Sequence, residues 1–96
     1  MKTLTTLDEI LRCLDEFDPE FTIFAATPWT SSSRAILLMQ PDPKQVPDEA
    51  KLLGLKYLAE VFVAQEFLAD WESLLTSKPT DQERCDRFIS YAINDA

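Results

Sequence analysis

The chain has 96 residues, 46% of them apolar and 27% charged, which is enough for one hydrophobic core and too little for two, so a single globular domain over 1–96 is expected. Seventeen acidic residues against nine basic give a net charge of −8, which disfavours direct binding to nucleic acid or an anionic membrane and favours basic surfaces. With no histidine and a single glycine, the chain lacks the commonest neutral-pH base and zinc ligand, and it lacks the glycines of a phosphate-cradling loop, so no cofactor is expected.

From Met1 to Leu7 there is no apolar run of signal-peptide length, and none of membrane-spanning length follows, so a cytoplasmic protein is expected. Thr6 and Glu9 have the spacing of a capping box. Leu7, Ile10, Leu11, Leu14 and Phe17 then fall on one stripe, which predicts an amphipathic helix over 6–17 ended by Pro19. "FTIFAA" (21–26) is rich in β-formers, "TPWTSSS" is a polar connection with Ser31, Ser32 and Ser33 as turn residues, and "RAILLMQ" (34–40) is a second apolar run bounded by Pro41 and Pro43. Together they predict an antiparallel hairpin with a long loop. "VPDEAKLLG" combines Pro47, Asp48 and Glu49 at a helix start with Gly54 at a left-handed cap, so it predicts a short helix.

Residues 55–62 fit a third strand better than the start of one long helix. As a strand, Leu55, Tyr57, Ala59 and Val61 make an apolar face, with Lys56, Leu58, Glu60 and Phe62 opposite; extending the following helix backward would place Phe62 on its polar stripe. From Val63 onward, Ala64, Leu68, Trp71 and Leu75 form a core seam opposite Glu66, Asp70, Ser73 and Ser77. Pro79, Thr80 and Glu83 open a last helix whose buried stripe is Cys85, Phe88, Ile89, Ala92 and Ile93. The expected fold class is α/β (α+β), a small three-stranded sheet packed with about four helices in the order αββαβαα. If the third strand joins beside the second through the short helix, that crossover should be parallel and right-handed.

Catalytic motifs are absent. Cys13 and Cys85 stand at helical spacing among apolar neighbours and read as reduced core residues, and the serines of the loop have no basic neighbour suited to activating a nucleophile. The carboxylates Asp15, Glu16, Asp18 and Glu20 do not have the spacing of an EF-hand loop, so no metal site is expected. The expectation is therefore a non-enzyme.

Those four residues still stand out, because "LDEFDPEF" sets acidic side chains around the expected carbonyl end of a helix, where backbone polarity opposes them. One reading is that they pair with lysine or arginine of another macromolecule. The other is that Arg12 offsets Glu16 at i,i+4 and solvent screens the rest. Trp29, in a polar loop beside Arg34, either folds back over the sheet or anchors an interface. Glu60 becomes a site candidate if it lies in a cleft.

The partner-binding set is thus Asp15, Glu16, Asp18, Glu20, Trp29 and Arg34, with Glu60 as a candidate buried carboxylate. The leading function is a small acidic interaction protein, inhibitor-, antitoxin- or immunity-like, with a basic protein partner. The alternatives are a homodimer or larger homo-oligomer whose acidity serves solubility, and a metal-dependent enzyme built on carboxylates.

Overall fold

The computed structural model describes residues 4–39 and 48–95. It is a mixed α/β fold in the order β1 (Thr5–Thr6), α1 (Leu7–Arg12), a 3-10 turn (Leu14–Glu16), β2 (Phe21–Ala25), β3 (Arg34–Met39), α2 (Asp48–Leu52), β4 (Lys56–Glu60), α3 (Val61–Ser73) and α4 (Asp81–Asp95). Among the described residues the sheet has four strands in the order β1-β3-β2-β4, and each of their pairings is antiparallel. The expected three-stranded sheet is therefore corrected to four. The third expected strand, β4, lies beside β2 rather than β3, so the parallel crossover does not form.

The hairpin of β2 and β3 is the centre of the sheet, with Ile23 opposite Leu37 and Phe24 opposite Ile36. Strand alternation sends Ile23, Ala25 and Ala35 into the larger core beneath α1, α3 and α4, and sends Phe24, Ile36 and Leu38 into a smaller core closed by Ala50 and Leu55. The larger core also takes Leu7, Ile10, Leu11 and Leu14 from the first helical stripe, and Cys85, Phe88, Ile89 and Ala92 from the last. Each fully buried leucine or phenylalanine of these stripes contributes about 1.5–3 kcal/mol to the fold. Ile93, expected on the buried stripe, is instead exposed, and so is Leu75 beyond the end of α3. Trp71 is only half-buried, packed on the edge of the core.

The predicted helix over 6–17 divides. Thr5 and Thr6 pair with Ala35 and Arg34 as a short edge strand, and the α-helix ends at Arg12. The chain then tightens into i→i−3 bonds, Glu16 N–H to Cys13 O (2.9 Å) and Phe17 N–H to Leu14 O (3.3 Å). The capping box expected at Thr6 and Glu9 does not close: Thr6 makes no side-chain bond to the helix backbone, and its hydroxyl donates to Asp8, while Glu9 accepts from the Thr5 hydroxyl (2.8 Å).

The same signature at Thr80 and Glu83 does close. Thr80 N–H donates to Glu83 Oε1 (2.8 Å) and Glu83 N–H donates to Thr80 Oγ1 (3.1 Å). Gly54, at φ 73°, ends α2: Leu55 N–H reaches Ala50 O (2.9 Å) and Gly54 N–H reaches Lys51 O (3.1 Å), and Leu55 packs with Ala50 in the smaller core. Pro41, Pro43 and Pro47, used above to bound the second strand and start this helix, lie outside the described residues.

Arg84 joins three helical segments: its Nη1 donates to Leu11 O (3.4 Å) and its Nε stands 3.5 Å from Glu72 Oε2, a charge contact without a well-directed hydrogen bond.

β4 departs most from its expected pattern. Ile23 pairs with Ala59 but Phe24 pairs with Tyr57, so Leu58 is an extra residue, a β-bulge. Leu58 and Ala59 both enter the larger core, and Tyr57 is 41% exposed rather than part of an apolar face. The strand ends at Glu60 and α3 begins at Val61, so Phe62 is helical after all. It stands 42% exposed on the side that periodicity reserves for polar residues.

Candidate functional site

The turn at 15–20 is held from behind by α3. Gln65 Nε2 donates to the carbonyls of Leu14 (3.0 Å) and Phe17 (3.3 Å), and Phe62 N–H donates to Pro19 O (3.3 Å). Gln65 thus gives Leu14 O, which already accepts the Phe17 N–H, a second donor and gives Phe17 O a side-chain donor at the end of a helical segment. Within the turn, Asp18 Oδ1 accepts the Glu20 N–H (2.9 Å), an Asx turn that carries the chain into β2. The backbone is thus fixed by neutral donors.

The four carboxylates Asp15, Glu16, Asp18 and Glu20 are all exposed. Among the described residues, no lysine or arginine comes within 4.0 Å of any of them. Arg12, the cation expected to offset Glu16, turns the other way, to Asp8 (3.7 Å) and Asp81 (3.9 Å). The premise that these acids oppose a helix dipole is corrected, since α1 ends earlier and closes on a basic residue, Arg12. What sets the group apart is the absence of a neutralising cation among the described residues. Phe62, whose backbone N–H bonds to Pro19 O, is an aromatic residue 42% exposed.

Trp29 and Arg34 do not join this surface. The Trp29 indole N–H donates to Ala25 O (3.2 Å) and the ring packs half-buried against the larger core, which is the fold-back alternative. Ser33 organises the same loop, donating to Pro28 O (3.1 Å) and accepting the Thr30 N–H (2.8 Å). Arg34 is exposed at the start of β3, opposite Thr6 of the edge strand.

Glu60 is half-buried at the last position of β4, in register with Thr22, and it accepts the Tyr57 hydroxyl (3.3 Å). In an unbroken strand residues three apart point to opposite faces. The bulge at Leu58 removes that separation and brings Tyr57 and Glu60 to one side, over Phe24 and Thr22. Burial first, then the Glu60 charge and hydrogen bond, raise the pKa of the Tyr57 hydroxyl, so it remains a proton donor to the carboxylate.

Both residues stand at the rim of a cleft of about 320 Å³ along the outer edge of β4. The buried side chains of Leu58, Ala59, Phe88 and Ala92 floor it, and Val63 and Tyr91 wall it. Tyr91 is itself stacked on Phe67 at 4.1 Å between ring centroids, and the Arg87 guanidinium lies 5.2 Å from the centre of the Phe67 ring.

Cys85 is buried, and desolvation, followed by the charges of Asp8 and Asp86, pushes its thiol up to about 11. Among the described residues, no three His, Cys, Asp or Glu side chains gather where they could hold a metal ion, and no helix is long and apolar enough to cross a membrane.

Sequence reasoning missed Phe62, Gln65 and the cleft. Phe62 was legible as an aromatic residue out of place on a polar stripe, whereas Gln65 and the Tyr57–Glu60 pair depend on neighbours that periodicity does not reveal. Compared with protein-family models, curated proteins and solved structures, the chain matches none.

Proposed function

We propose that this is a small acidic, non-enzymatic interaction protein of the cytoplasm that binds a basic macromolecular partner, as an inhibitor, antitoxin-like or immunity-like module would. The observation that carries the proposal is the hydrogen-bonded turn at 15–20, with four exposed carboxylates, no described cation beside them, and the backbone of Phe62 bonded to Pro19. An exposed aromatic group with charged groups around it has the anatomy of a binding hot spot. The charges would raise the rate of encounter with a basic surface, and the aromatic ring would slow its departure.

The test is affinity capture from the native host's lysate with the wild-type chain and with the quadruple variant Asp15→Asn, Glu16→Gln, Asp18→Asn, Glu20→Gln, followed by a binding measurement on the purified pair. The expected result is a basic protein captured by the wild type and lost with the variant, with an affinity that falls as salt rises. An unchanged set of captured proteins would remove the acidic turn from the function.

A further inference from the structure

We draw no further inference here: the strongest candidate, the groove between the loop at 29–31 and the α4 stripe of Asp86, Ile89, Ser90, Ile93 and Asn94, carries none, because the Trp29 indole N–H, Asp86 and Asn94 already have hydrogen-bond partners within the chain and nothing in the structure shows what covers the exposed Ile93.

Discussion

The turn at 15–20 and the start of α4 are both short, acidic connections, but the fold uses their carboxylates in opposite ways. At α4, Glu83 and Thr80 close a reciprocal cap, and Asp81 faces Arg12 at 3.9 Å. Glu83 there satisfies a backbone donor, Asp81 faces a cation, and both sit at the positive end of a helix. At 15–20 only Asp18 serves the backbone, while the turn is held by an amide from another helix, Gln65. Carboxylates that the fold consumes are structural, and those it leaves unconsumed are available to something else.

Removing the amide should break the comparison most strongly. Gln65→Ala leaves the Leu14 and Phe17 carbonyls without their side-chain donor and is expected to cost about 1–3 kcal/mol, lowering the thermal midpoint by several degrees in a scanning-calorimetry trace. Thr80→Ala should cost about 1 kcal/mol through loss of the closed cap, whereas Thr6→Ala, at the unclosed one, should cost less than about 0.5 kcal/mol. Urea unfolding of the two variants side by side measures that difference, and equal losses would show that the α4 cap is not the stabilising one. The smallest effect belongs to the double variant Asp15→Asn, Glu16→Gln, which should change stability by less than about 0.5 kcal/mol in low-salt melts. A large loss there would mean that these carboxylates are structural and would undercut their role at an interface.

The two candidate capping boxes show how far local pattern can be read. Thr80–Glu83 forms as its spacing requires. Thr6–Glu9 has the same letters, but Thr6 pairs with Arg34 across the sheet and its hydroxyl turns to Asp8. A tertiary pairing overrides a cap worth about a kcal/mol. The candidate site divides in the same way. The acidic cluster could be listed from the chain, but its lack of a described cation follows from Arg12 being drawn to Asp8 and Asp81. Trp29, in the loop, and Arg34, at the start of β3, part company because the indole finds a backbone carbonyl and a core edge.

The amino-acid sequence alone determined the buried stripes of the first and last helices apart from Phe17 and Ile93, the central hairpin and the left-handed glycine that ends α2, because these follow from the repeat of a helix or strand and from the steric freedom of one residue. The tertiary structure alone decided that β4 pairs with β2, that the extra residue at Leu58 turns Tyr57 and Glu60 to one side, and that Gln65 anchors the acidic turn. Those outcomes join residues tens of positions apart or shift a strand by one residue. Only competition among whole arrangements of the core selects between them, since a one-residue slip reverses every following side chain at no cost that local propensity can register.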